Sequence, residues 1–145
     1  MPTNQQQSKP RPLKLLFVDD EPFAVEYFVE DLRNDNMEIS FCRSAKAAQE
    51  MFRQESFDVA IFDVMMHAGP YEDKVADGLA TGLYLLRDFR AQHSKTPVIV
   101  LTNSTAEKTL TEIQAEPFVK VLAKVKILPS EFPGVVRAFA EGAKT

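Results

Sequence analysis

The sequence has a single cysteine, Cys42, and so cannot form an internal disulfide. That suits a reducing compartment. Its place in a strand-like run marks it as a small buried apolar side chain rather than a reactive thiol. No apolar stretch approaches the roughly 20 residues needed to cross a bilayer. The first twelve residues, MPTNQQQSKPRP, lack the apolar segment of a secretion signal and read as a polar, proline-rich, disordered tail. An excess of positive charge is also missing: 17 Lys and Arg stand against 21 Asp and Glu, a net charge of -4. A surface built chiefly for nucleic acid would carry the opposite sign. These absences leave an acidic protein expected in the cytoplasm, with no membrane span and no direct nucleic-acid binding.

What is present is a core. With 145 residues, 45% of them apolar, the chain is long enough for one well-buried domain, expected over residues 13–145. Its apolar runs alternate in period. LKLLFV (13–18) reads as a strand buried on both faces. Pro22 suits a first helical position, and residues 23–33 carry apolar side chains at helical spacing. MEISFC (37–42) reads as a strand, and Ser44 caps a helix over 45–54. FDVAIFDV (57–64) is a third strand, followed by an amphipathic helix over 82–92. VIVLT (98–102) is a fourth strand. STAE (104–107) has the form of a capping box ahead of a helix over 108–115. FVKVLA (118–123) is a fifth strand, and a last helix spans 130–141 with Pro133 in its first turn. Five strands alternating with five helices predict a three-layer α/β fold with a parallel sheet.

Charge collects where these strands end. In LLFVDDEPF (15–23) three carboxylates follow an apolar run directly. In open parallel sheets ligands bind at the carboxyl ends of strands, near a switch point in strand order. Asp19 and Asp20 end the first strand, Asp63 the third, Thr102 the fourth and Lys124 the fifth. If the first and third strands are neighbours, three carboxylates converge beside a hydroxyl and an ammonium. A divalent cation removes their repulsion, and hard oxygen ligands without Cys or His select Mg²⁺ over Zn²⁺. Glu21 reads as a helix first-turn acid. His67 and His93 read as surface residues, and Met65 and Met66 as packing residues.

The set VDDEP, FDVAIFDVMM, VIVLTNS and LAKV resembles the receiver domain of bacterial two-component response regulators, over about residues 13–139. The resemblance implies a doubly wound, flavodoxin-like (βα)5 sheet of order 2-1-3-4-5. It implies that Asp63 is the phospho-acceptor, that Asp20 ligates Mg²⁺ directly, and that Asp19 does so mainly through water. Met65 would offer its backbone carbonyl to the metal, and Thr102 and Lys124 would each hold a phosphoryl oxygen. The phosphoryl donor would be a sensor histidine kinase or a histidine phosphotransfer protein. The output would be contact with a downstream protein target. Such a chain is a signalling module and not an enzyme beyond its own phosphotransfer and dephosphorylation. Because it ends soon after the fifth helix, it is expected to act as a stand-alone receiver.

Some positions depart from the family pattern. His67 and Val125 stand where prolines are usual, and a trans bond is expected at 124–125 because cis costs about 2.5–4 kcal/mol before a non-proline. Asn103 replaces a small residue, and Val121 replaces an aromatic that swings inward in the family's switch. With Val121 stiff at χ1, the signal is expected mainly in residues 103–110. The connection from Met65 to Thr81 exceeds the roughly 2–6 residues usual there. It is expected to be an exposed partner-selecting segment, with Tyr71 as its exposed aromatic. Two other readings remain. One is a Mg²⁺-dependent phosphatase with an Asp nucleophile, which would want a second Asp where Met65 stands. The other is a pseudo-receiver that serves only as a scaffold.

Overall fold

The computed structural model describes residues 11–74 and 78–142. The expected N-terminal tail therefore lies outside the described residues except for Arg11 and Pro12. Five strands form one parallel sheet: β1 (Lys14–Val18), β2 (Glu38–Cys42), β3 (Val59–Phe62), β4 (Val98–Thr102) and β5 (Val119–Ala123). Their order is β2-β1-β3-β4-β5, as the family resemblance implied. Between them run α1 (Glu26–Asn34), α2 (Ala45–Gln54), α3 (Thr81–Gln92), α4 (Glu107–Gln114) and α5 (Phe132–Gly142).

The strand sequences explain the layering. β1, β3 and β4 are nearly unbroken apolar runs and are buried almost throughout, because helices cover both faces. Side chains alternate between those faces. Leu15, Phe17, Ile61 and Ile99 join Phe28 of α1 and Phe132 of α5 in one apolar cluster. Leu16, Val18, Phe62 and Val100 join Phe52 of α2, Phe89 of α3 and Ile113 of α4 in the other. β2 and β5, at the sheet edges, are only part-buried. Cys42 is buried, as expected of a packing residue. Among the described residues no helix is long and apolar enough to cross a membrane.

Several local expectations hold and others are corrected. Ser44 caps α2, its Oγ accepting from Ala47 N–H at 3.1 Å. Residues 22–25 form a 3-10 turn before α1 begins. The STAE segment does not make a capping box. Ser104 Oγ accepts from Ala106 N–H at 3.2 Å, and α4 starts later without a side-chain cap. Here a local Ser turn competes with the helix and wins. No described peptide bond is cis, so the bond at 124–125 is trans as expected. His93 is no surface residue: it is half-buried, stacks on Phe89 at 4.7 Å, and its Nε2 lies 2.6 Å from Phe52 O.

Arg90 is the pin of the far end of the sheet. Its guanidinium donates to His93 O (2.9 Å), Thr96 O (2.6 Å), Pro117 O (2.9 Å) and Phe118 O (3.3 Å). It also sits 5.7 Å from the Phe118 ring centroid, and Phe118 is held at φ 57°. A planar fork can reach four carbonyls in two loops, whereas an ammonium cannot. Arg90→Lys is therefore expected to cost about 2 kcal/mol through carbonyls left unpaired. Urea unfolding checks this, and a variant as stable as wild type would remove Arg90 from this role.

Candidate functional site: the carboxyl edge of the sheet

The strands place the acids by one further rung of their own ladders. Beyond the end of β1, Asp19 N–H donates to Cys42 O at 3.1 Å; beyond β3, Asp63 N–H donates to Val18 O at 3.1 Å. Both carboxylates thus leave adjacent strands at the same edge, at the point where strand order reverses. Thr102 pairs in register with Ala123, so Lys124 follows at that level from β5. The structure therefore brings together Asp19, Asp63 and Lys124, as the sequence reading expected.

Lys124 is the centre of the arrangement. Its Nζ lies 2.9 Å from Asp19 Oδ2 and 3.1 Å from Asp63 Oδ2, with all three side chains nearly buried. The outer oxygens are held by the backbone: Asp19 Oδ1 accepts from Glu21 N–H at 2.8 Å, and Asp63 Oδ1 from Val64 N–H at 2.7 Å. Glu21 itself is exposed and points no carboxylate into the cluster's hydrogen bonds. Burial pushes the Asp19 carboxyl above its ordinary range, and the charge of Asp63 adds to this; Lys124 and the Glu21 amide oppose it without cancelling it. Burial alone would lower the Lys124 ammonium, but its bonds to Asp19 and the charges of both aspartates raise it overall. One positive charge between two buried negative ones leaves the pocket short of positive charge.

Asp20 stands slightly apart. It is half-buried, and its Oδ2 accepts from His67 N–H at 3.3 Å. Thr102 is buried, and its Oγ1 accepts from Ser104 N–H at 3.0 Å, which leaves its own proton free to donate. Met65 is 45% exposed on the rim, while Met66 is buried, so only Met66 is the packing residue that both were expected to be. Among the described residues no three His, Cys, Asp or Glu side chains gather closely enough to hold a metal ion as they stand. The donor chemistry nevertheless fits a hard divalent cation: the cluster offers carboxylate oxygens only, and it carries surplus negative charge.

The long connection after β3 corrects one expectation. Tyr71 is not exposed: it is 6% accessible and lies in the apolar cluster against α2 and α3. Its ring is large enough that burial outweighs the polar neighbours that made it look like a surface residue. Its hydroxyl, held protonated by burial and by Asp88, donates to Asp88 Oδ2 at 2.6 Å. Gln49 Nε2 reaches both Tyr71 Oη (3.0 Å) and Asp88 Oδ2 (2.6 Å). Residues 75–77 of this connection lie outside the described residues.

Gly82 was missed as a site residue by the sequence reading. Its N–H donates to Val64 O at 2.9 Å, and α3 begins hard against the Asp63–Val64 peptide. A Cβ there would sit 2.2 Å from Asp63 O and 2.7 Å from Val64 Cα. A lone glycine in the first turn of an amphipathic helix was the available signal.

No curated protein matches the chain. The CheY-like receiver domain protein of Methanospirillum hungatei JF-1 is similar at TM-score 0.74 and 16% identity, covering 92% of this chain and 97% of that one. The chemotaxis protein CheY4 of Vibrio cholerae is similar at TM-score 0.71 and 22% identity, covering 88% and 98%. The signal receiver domain of an HD domain-containing protein from Pseudomonas fluorescens Pf-5 is similar at TM-score 0.75 and 19% identity, covering 92% and 98%. At such identities these likenesses establish the fold. Residues 15–127 match the response regulator receiver domain family, and with this match, over most of the chain, the protein belongs to that family.

Proposed function

We propose that this chain accepts a phosphoryl group on Asp63 from a histidine kinase or histidine phosphotransfer protein, with Mg²⁺, and signals by contact with a downstream protein. The observation that carries the reading is the shared Lys124, which holds Asp19 and Asp63 at one edge beside Thr102. Asp19, Asp20, Asp63 and the Met65 backbone carbonyl are the oxygen donors that would hold the metal. When bound, Mg²⁺ supplies charge neutralisation to the phosphoryl oxygens and to the clustered carboxylates.

The chain's own residues account for the rest. A carboxylate oxygen of Asp63 attacks phosphorus in line with the P–N bond of the donor phosphohistidine. That bond breaks, the imidazole leaves with the electron pair and takes up a proton, and an acyl phosphate remains on Asp63. Lys124 moves from the Asp63 oxygen to a phosphoryl oxygen, and the Thr102 hydroxyl donates to another. Little else is needed, because phosphoryl transfer depends on positioning and charge stabilisation. Val121 is half-buried and short, so output through residues 103–110 is the route that suits this sequence.

Incubation with acetyl phosphate and Mg²⁺ should add one phosphoryl group by intact mass, and chelation should prevent it. Calorimetry should find Mg²⁺ binding weakened about tenfold or more by Asp20→Asn, and less by Asp19→Asn, whose oxygens already serve Lys124 and the Glu21 amide. Equal losses would defeat this division of roles. Absence of both Mg²⁺ binding and mass gain would favour a scaffold without phosphorylation. Repeated turnover of a phosphomonoester would favour a phosphatase, although Met65 stands where that chemistry wants a second Asp.

A further inference from the structure

The long connection after β3 reaches the acidic pocket through a series of local hydrogen bonds spaced along its backbone. At its outer end the Tyr71 hydroxyl is tied to α3 by Asp88 at 2.6 Å and to α2 by Gln49 at 3.0 Å. Tyr71 N–H donates to Ala68 O at 2.9 Å, and Gly69 N–H donates to His67 Nδ1 at 3.2 Å. At its inner end His67 N–H donates to Asp20 Oδ2 at 3.3 Å. The far end of the connection is anchored as well: Met66 N–H donates to Gly78 O at 3.3 Å, and Thr81 Oγ1 donates to Met66 O at 2.7 Å. The His67 side chain is exposed, so its amide is held by its neighbours: Met66 and Ala68 are buried on either side, and Thr81 fixes the Met66–His67 peptide from one end. Tyr71, buried four residues later, anchors the other end.

We infer that Tyr71 is a positioning residue: by pinning the connection to α2 and α3 it holds the His67 amide on Asp20, and so pre-orients that carboxylate for the divalent cation. The inference rests on the proposed role of Asp20 as metal ligand. The amide occupies one carboxylate oxygen and restricts rotation of the group, so that the other oxygen has less freedom to lose when it meets the metal. Pre-organisation of this kind raises affinity by reducing what must be ordered on binding. The Tyr71 hydroxyl touches neither the metal nor the phosphoryl group, and its effect is relayed through the backbone.

The test uses the full chain and Mg²⁺ alone as probe. Tyr71→Phe keeps the buried ring and removes the hydroxyl; it should weaken Mg²⁺ binding about fivefold, the change expected for loss of one ordinary hydrogen bond. Asp88→Asn keeps an acceptor oxygen for Tyr71 and should bind Mg²⁺ nearly as wild type. Phe28→Leu, in the apolar cluster on the opposite face of the sheet, controls for lost stability and should leave the affinity unchanged. Without metal, the His67 amide proton resonance should move upfield in Tyr71→Phe as its bond to Asp20 loosens. Wild-type affinity in Tyr71→Phe, an unmoved His67 amide, or equal weakening in Phe28→Leu would each overturn the inference. Failure of the wild-type chain to bind Mg²⁺ would instead remove the metal reading itself, while the His67 resonance would still report on the Tyr71 clamp.

Discussion

Asp63→Asn is expected to abolish phosphoryl uptake while the chain stays folded. An amide is no nucleophile toward phosphorus, and no other acid occupies the position of Asp63 at the end of β3, bonded through Oδ2 to Lys124. Asp19 shares that lysine, but its Oδ1 is committed to the Glu21 amide and it leaves a different strand. Asp20 faces the His67 amide. The folding cost should be modest. Asp63 holds Val64 N–H with one oxygen and Lys124 with the other, and an Asn side chain can satisfy one of these contacts but not both. Loss of one buried hydrogen bond is worth about 1–2 kcal/mol. Intact mass after treatment with acetyl phosphate and Mg²⁺ reads the main effect directly. A phosphoryl gain equal to that of wild type would move the acceptor to another residue.

Gly82→Ala should produce a large loss of stability. The new Cβ would meet the carbonyl and backbone of Asp63 and Val64 at 2.2–3.0 Å, and backbone cannot move aside as a flexible side chain can. Either α3 lifts from the end of β3 or the Asp63 peptide shifts. Overpacking of this kind costs about 3 kcal/mol, at the upper end of its usual range, because no side-chain rotation relieves it. The N–H bond from residue 82 to Val64 O would stretch with it, so the acceptor would lose its position and phosphoryl uptake should slow too. Gly134→Ala makes the contrast. That helix position has open space around a Cβ, and alanine there should be neutral or stabilising by up to about 1 kcal/mol. Urea unfolding of both variants decides the matter, and equal midpoints would show that α3 yields at no cost.

Much of this molecule was legible before its structure was known. The nearly unbroken apolar runs of β1, β3 and β4 read as strands covered on both sides, which called for helices on both faces of a parallel sheet. Polar residues ending those runs then had to emerge together at one edge. That reasoning located Asp19, Asp20, Asp63, Thr102 and Lys124 without any contact being known. It worked because strand burial and side-chain alternation are local properties, written in the spacing of neighbouring residues.

Other features depended on parts of the chain that meet only after folding. The STAE segment carries every residue a capping box needs, yet Ser104 turns to Ala106, and Thr102 takes the Ser104 amide. Tyr71 sits among polar neighbours in sequence, yet α2 and α3 leave a place for its ring and supply Gln49 and Asp88 for its hydroxyl. His93 closes a helix in sequence and stacks into an aromatic group in space. By itself, then, the sequence determined the strands, their layering and the acids at their ends, because each follows from local periodicity and charge. Only the tertiary structure decided that Lys124 bridges two of those acids, that Gly82 must lack a side chain, and that Tyr71 ties its connection inward. Each of these depends on the distance between residues far apart in the chain, and that distance is set by how helices and strands pack.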